Sequence, residues 1–246
     1  MANVQLFCLP YSGASAMVYS RWRRAVPDWL SVLPVELPGR GARMGEALQT
    51  DMHALARQLA REVLPKINGP YALFGHSLGG LLAFEMAHAL REAGAPEPVA
   101  LIASGTAAPT RREDYDRDFA EPKTDDQLKH DLRALQGTPP EVLDNQELME
   151  LTLPILRADF LLCGRYQYRA RAPLGCPIRV LGGADDKATQ QQLIDWQLEG
   201  EAGFSLDMLP GGHFFIHEHQ AKVLRILKGN LERDVRREQR ALRVVA

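Results

Sequence analysis

The chain has 246 residues, 46% of them hydrophobic and 24% charged, with 29 basic against 31 acidic side chains and a formal net charge of −2. That is ordinary globular composition, long enough for one sizeable core and short for two. The charge balance excludes a global field for nucleic acid or an anionic membrane, no apolar run approaches the roughly 20 residues of a membrane span, and the scattered Cys8, Cys163 and Cys176 do not make a disulfide framework.

Met1-Ala2-Asn3 leads, with no secretory leader, into the apolar run Val4–Leu9, which reads as a buried strand ending at Pro10. With the unpaired cysteines this predicts a reducing, cytoplasmic setting, and Cys8 is expected as a small buried residue. Val32–Leu37 repeats the strand form and stops at Pro38-Gly39. Met52–Leu64 places Met52, Leu55, Leu59 and Val63 on one face of a helix. Tyr71–Gly75 is a third strand, Leu78–Leu90 an apolar helix expected to be buried on two sides, and Val99–Ser104 a fourth strand. Ile178–Leu181 and Ser205–Leu209 supply two more strands, with helices at Gln190–Leu198 and Ala221–Leu231. The Arg-rich tail Glu232–Ala246 is expected as a frayed helix end.

Strands alternating with helices predict an α/β fold: one domain over residues 1–246, with a mostly parallel, twisted sheet covered on both faces. Crossovers should be right-handed, and ligands should collect at the carboxyl ends of the strands. One connection, from about Ala107 to Gly175, is too long for this scheme and carries helical segments at Thr124–Leu135, Asn145–Leu151 and Leu153–Leu162. Thr138-Pro139-Pro140-Glu141 reads as a turn into a further helix. The insertion leaves the sheet at the edge where ligands collect, so it is expected to be a lid. A surface bundle unrelated to access is the alternative.

The chemistry centres on Gly75-His76-Ser77-Leu78-Gly79, where a strand meets a helix. A sharp turn there holds a serine in a strained conformation with its hydroxyl free, and the glycines relieve the crowding. The backbone N–H of Leu78 then points to where an attacked carbonyl builds negative charge. A serine needs a base. Of the seven histidines, His213, in Pro210-Gly211-Gly212-His213-Phe214-Phe215 after the last strand, fits the order Ser…Asp…His. His76 suits a packing role, His217 and His219 the surface, and His53, His88 and His130 lie on helix patterns without a visible partner. The carboxylate that orients the base is expected at Asp186, with neighbouring Asp185 as the alternative, and Lys187 is expected to be solvated. A second oxyanion donor is expected from Ser12, in the small loop after the first strand. No ligand spacing suggests a metal.

These segments together resemble a known family. Leu9-Pro10-Tyr11-Ser12-Gly13-Ala14-Ser15, Glu36-Leu37-Pro38-Gly39-Arg40-Gly41-Ala42-Arg43, the serine turn, Leu153-Pro154-Ile155-Leu156-Arg157-Ala158-Asp159-Phe160, Gly182-Gly183-Ala184-Asp185-Asp186 and the His213 loop occur in its order over about Leu6 to Leu231. The chain is similar to the type II thioesterases of nonribosomal peptide and polyketide assembly lines, in the α/β-hydrolase superfamily. It departs where Ala14 stands for a frequent glycine and Lys187 for a frequent proline.

The resemblance implies editing. Acyl groups would be hydrolysed from the phosphopantetheine thioester of acyl or peptidyl carrier proteins, a siderophore pathway being one such setting. It implies no cofactor, because the phosphopantetheine arrives on the substrate, and a monomer is expected. Carrier domains are acidic, so Arg21, Arg23, Arg24, Arg40, Arg43, Arg111 and Arg112 are docking candidates. Arg40 is expected at the entrance for the pantetheine arm, as a substrate-binding residue. Two rivals remain: a small-molecule carboxylesterase or lipase, and a non-catalytic scaffold with a hydrolase fold.

Overall fold

A computed structural model describes residues 3–135 and 140–245. Six strands, β1 (Val4–Leu9), β2 (Leu30–Pro34), β3 (Tyr71–His76), β4 (Ala100–Ser104), β5 (Ile178–Gly183) and β6 (Phe204–Leu209), form one sheet in the order β2-β1-β3-β4-β5-β6. Every neighbouring pair is parallel. The helices are α1 (Met52–Val63), α2 (Leu78–Glu92), α3 (Arg112–Tyr115), α4 (Asp125–Leu135), α5 (Pro140–Leu143), α6 (Gln146–Gly164), α7 (Gln190–Ile194), α8 (Phe215–Glu218) and α9 (Gln220–Val245).

Successive strand side chains point to opposite faces, and both faces are covered at the centre of the sheet, so β1, β3 and β4 are mostly apolar and buried, while the edge strand β6 alternates. Phe7 and Leu9 of β1 and Leu73 of β3 join Leu55 and Leu59 of α1 and Leu82 of α2 in one core. Leu6 and Cys8, with Phe74, turn to the other face, against Trp22 and Leu224, Leu227 and Leu231 of α9.

The chain begins at β1, steps out to β2, and returns past β1 to β3, so direction reverses between β1 and β3. In open α/β sheets that switch point is where ligands bind, beyond the carboxyl ends of the strands. The register sets what meets there: Leu9 pairs Gly75, His76 pairs Ser104, Leu181 pairs Ser104 and Gly183 pairs Leu209. The ends of β1, β3, β5 and β6 are therefore nearly level. They carry, in turn, the loops with Ser12, Ser77, Asp186 and His213.

Several expected boundaries move. β2 lies earlier than the expected Val32–Leu37, running from Leu30 to Pro34 on the sheet edge, with Val35 N–H still donating to Cys8 O at 2.9 Å. The helix expected over Gln190–Leu198 is α7 followed by a tighter 3₁₀ turn at Asp195–Glu199. Asn145–Leu151 and Leu153–Leu162 are one helix, α6, which runs through Pro154. Its Met149, Leu153, Leu156 and Phe160 pack on Leu128, Leu132 and Leu143, and this tertiary contact outweighs the lost hydrogen bond. Thr138 and Pro139 of the expected turn lie outside the described residues; Pro140 opens α5 as expected.

The tail is not frayed where it leaves Leu231. Asp234 pairs with Arg179 of β5, Arg179 Nε donating to Oδ2 at 3.0 Å, and Val235 is fully buried. Burying one such valine stabilises by about 1.5–3 kcal/mol, enough to hold the helix on the sheet.

Candidate active site

Ser77 has φ 54° and ψ −122°, and among the described residues it alone of the non-glycines has positive φ. Such strain persists only where the surroundings over-determine it. Here β3 ends at His76 and α2 starts at Leu78, leaving one residue to turn the chain. Ser77 N donates to Ser104 O at 2.7 Å, and Gly80 N returns to Ser77 O at 3.0 Å. A Cβ on Gly80 would lie 2.7 Å from Thr106 Cγ2, one on Gly79 2.8 Å from Pro10 O, and one on Gly75 against the Gly79 backbone. The glycines around Ser77 are therefore steric necessities.

His213 follows β6 on the Gly211-Gly212 turn, and Gly211 has φ 93°. Its Nδ1 lies 3.0 Å from both carboxylate oxygens of Asp186. The Asp186 side chain is 2% exposed and that of His213 10%. Asp186 also accepts the Lys187 N–H at 2.7 Å, which fixes the carboxylate from the other side. Asp185 is exposed, its backbone N–H donating to Gly211 O at 3.0 Å. The geometry thus separates the two aspartates. With Nδ1–H given to Asp186, Nε2 is the free acceptor. Ser77, His213 and Asp186 line one cavity, although no hydrogen bond joins the Ser77 hydroxyl to the imidazole in this structure.

His76 is fully buried, with Nδ1 3.0 Å from Ser104 Oγ and its ring centroid 5.0 Å from that of His213. Burial, and the nearness of His213 and His217, push its pKa well down, so it packs as a neutral ring. His217 is exposed as expected, yet it has a role at the site: its Nε2 is 2.9 Å from the Tyr11 hydroxyl. Partial desolvation raises the Tyr11 pKa and lowers that of His217.

Leu78 N–H, first in α2, has no intrahelical acceptor. Ser12 lines the same cavity, and neither its N–H nor that of Leu78 donates to another protein group. Beyond these loops the cavity, about 340 Å³, runs between the sheet end and the β4–β5 insertion. Leu132, Leu156 and Phe160 give it an apolar wall, while Arg112 and Asp116, an ion pair with side chains 3% and 5% exposed, form a polar one. Burial pushes the Asp116 carboxyl upward, against the pull of Arg112.

Arg40 is not where the sequence suggested. It is 3% exposed and outside the cavity lining, held by Asp159 of α6. Asp159 carried a signal that went unused, a carboxylate between the buried Leu156 and Phe160 on an apolar helix face. The basic patch shrinks likewise. Arg43 is forked between Glu46 and Glu62, Arg111 binds Asp195, and Arg112 is buried. Arg21, Arg23 and Arg24 stay exposed, on the 3₁₀ turn Ala16–Arg24, whose Val18 lines the cavity. Lys187 is tethered rather than merely solvated: its Nζ donates to Tyr115 O at 2.9 Å and sits 5.0 Å from the Tyr115 ring centroid. His53 also has a partner, Glu85 of α2, at 2.9 Å.

The thioesterase domain family matches residues 4–231. Linear gramicidin dehydrogenase LgrE of Brevibacillus parabrevis is 38% identical over 235 residues, covering 94% of this chain and 89% of that protein. Among solved structures, the RedJ thioesterase from the prodiginine biosynthetic pathway of Streptomyces coelicolor superposes with a TM-score of 0.86 at 35% identity, covering 93% of this chain and 91% of its own. The type II thioesterase BorB from the borrelidin biosynthetic cluster gives 0.84 at 36% identity and covers 93% of each chain.

Proposed function

This chain belongs to the thioesterase domain family, whose α/β-hydrolase fold it carries, and on that premise we propose that it is a type II editing thioesterase with Ser77, His213 and Asp186 as its catalytic triad. The observation that carries this reading is the Asp186–His213 pair at 3.0 Å in the cavity onto which the strained Ser77 opens. Asp186 fixes the imidazole tautomer and stabilises the imidazolium. His213 Nε2 takes the Ser77 proton as Oγ attacks the thioester carbonyl. The Leu78 and Ser12 N–H groups hold the oxyanion. Collapse breaks the C–S bond, and the pantetheine thiolate leaves with the proton from His213. Water, deprotonated by His213, then attacks the acyl-serine, and the acid departs as Ser77 recovers its proton.

The substrate is an acyl group on the phosphopantetheine arm of a carrier protein, and the chain needs no cofactor of its own. The β4–β5 insertion acts as a lid, part of one domain, with α6 shaping the acyl cavity. Arg21, Arg23 and Arg24, exposed on the turn whose Val18 lines the cavity, form the docking face for an acidic carrier. A hydride-transfer reading, prompted by the dehydrogenase relative, fits poorly. The glycine turn after β1, where a dinucleotide pyrophosphate would bind, already gives its Gly13 N–H to the Asp159 carboxylate at 2.8 Å, so that donor is not free for phosphate.

The test compares hydrolysis of an acetyl-loaded carrier protein, an acyl-thiol mimic and a p-nitrophenyl ester by wild type and Ser77→Ala. We expect kcat/KM to be highest on the carrier and lost in the variant. Higher kcat/KM on the free ester supports a carboxylesterase. No labelling of Ser77 by a fluorophosphonate supports a scaffold.

A further inference from the structure

Asp159 is 0% exposed and lies outside the chemistry just described, yet it is bonded to the oxyanion loop. Arg40 Nη1 donates to its Oδ2 at 2.6 Å and Arg40 Nη2 to its Oδ1 at 2.7 Å, while the Gly13 N–H donates to Oδ2 at 2.8 Å. Arg40 Nη1 also donates to Ala14 O at 3.4 Å. Within the loop, Ala14 N closes a turn onto Tyr11 O at 3.0 Å. The two residues after Ser12 are thus tied to one buried ion pair, one by its N–H and the other by its C=O. Gly13 has φ 78°, and a Cβ there would lie 2.8 Å from Leu156 Cδ2, so α6 packs on the turn without slack.

Stability is a weak reason for such a pair. Desolvating two charges costs about what their attraction returns, and apolar replacements of like volume are often as stable. A bidentate guanidinium–carboxylate pair supplies direction instead. Here it fixes the peptide orientation around Ser12.

We propose that Asp159 and Arg40 are positioning residues that latch the turn Tyr11–Ala14, hold the Ser12 N–H aimed at the oxyanion, and tie that donor to helix α6. The inference rests on Ser12 being an oxyanion donor. Since α6 also walls the acyl cavity with Leu156 and Phe160, the latch connects the helix that contacts the acyl group to a group that stabilises the transition state.

The experiment compares wild type, Arg40→Met/Asp159→Leu and Arg40→Met/Asp159→Asn on an acetyl-loaded carrier protein, with circular dichroism melts and inhibition by a trifluoromethyl ketone that forms an oxyanion at Ser77. The Leu variant should melt within a few degrees of wild type. Its kcat should fall about 10–100-fold, part of the effect of deleting an oxyanion donor outright, with KM within about twofold. Its inhibitor affinity should fall by a similar factor. The Asn variant, which restores an acceptor to Gly13 N–H, should regain most of the loss. A folded Leu variant with wild-type kcat and inhibitor affinity overturns the latch, as does a loss confined to KM. If the Leu variant does not fold, Arg40→Met/Asp159→Ala, which also removes the acceptor for Gly13 N–H, decides by the same split of kcat from KM. A wild-type protein that neither releases acetate nor takes a fluorophosphonate at Ser77 sinks the functional reading instead.

Discussion

Gly79 is the tightest meeting of α2 with the loop after β1, and Gly79→Ala tests whether that closeness serves catalysis. A Cβ there would sit 2.8 Å from Pro10 O and closer still to Leu9 O. Restoring ordinary contact needs the helix start and the loop to part by roughly 1 Å, since carbon and oxygen pack comfortably only near 3.4 Å. Neither neighbour yields easily: Leu9 is held in β1 against Gly75, and Gly79 lies in the first turn of α2. Overpacking of this kind costs about 1–3 kcal/mol, or roughly 2–12 °C in Tm for a chain of this size. The functional cost should be larger. Leu78 N–H and Ser12 N–H sit on opposite sides of that contact, and a misplacement of about 1 Å can cost about 100-fold in rate. Stopped-flow acylation with a p-nitrophenyl ester, beside a thermal melt, reads both. Full acylation at an unchanged Tm would refute the claim that this contact sets the spacing of the two donors.

The two aspartates should separate sharply, with Asp186→Asn lowering kcat by about 10³–10⁴-fold through the wrong imidazole tautomer and Asp185→Asn leaving it nearly unchanged in the same steady-state assay. Glu85 gives a stability prediction. Burial alone would raise its pKa from 4.5, but hydrogen bonds from His53, Tyr166 and Arg171 outweigh burial and bring it to about 2. A depressed folded pKa contributes stability that is complete above about 4.5 and is lost as pH falls through about 2. Glu85→Gln should therefore flatten the acid limb of Tm against pH; an unaltered limb counts against the network around Glu85. Arg21→Glu with Arg24→Glu should raise KM for the carrier protein roughly fivefold, the effect of about 1 kcal/mol of exposed charge, and leave the rate on p-nitrophenyl acetate unchanged. A KM insensitive to both the substitutions and added salt removes this face from docking.

What the sequence made legible follows from which forces are local. β1, β3 and β4 are mostly apolar because both faces of the sheet are covered there, so the strands were found from composition alone. Ser77 was visible because its strain requires glycines at fixed spacing, and His213 because two glycines bring it in after the last strand. Which of Asp185 and Asp186 faces His213 depends on turn geometry, which a pair of adjacent aspartates does not announce. Arg40 misled for a physical reason: an arginine in a Pro-Gly turn is commonly solvated, and nothing local announces Asp159, 119 residues away in sequence. Glu232–Ala246 looked frayed because the Arg179–Asp234 pair is likewise non-local. The length of α6 was hidden by Pro154, whose cost is offset by packing that a periodicity count cannot see.

The central claim is that Ser77 carries the acyl group between thioester and water. Rapid quench of the wild-type protein with acetyl-loaded carrier protein, followed by peptide mass spectrometry, tests it most directly. One acetyl group should appear on the peptide containing Ser77, decay at the rate of acetate release, and persist in a variant slowed in deacylation. Acetate released at the full rate with no acyl group on Ser77 at any time, or undiminished release by Ser77→Ala, would contradict the account.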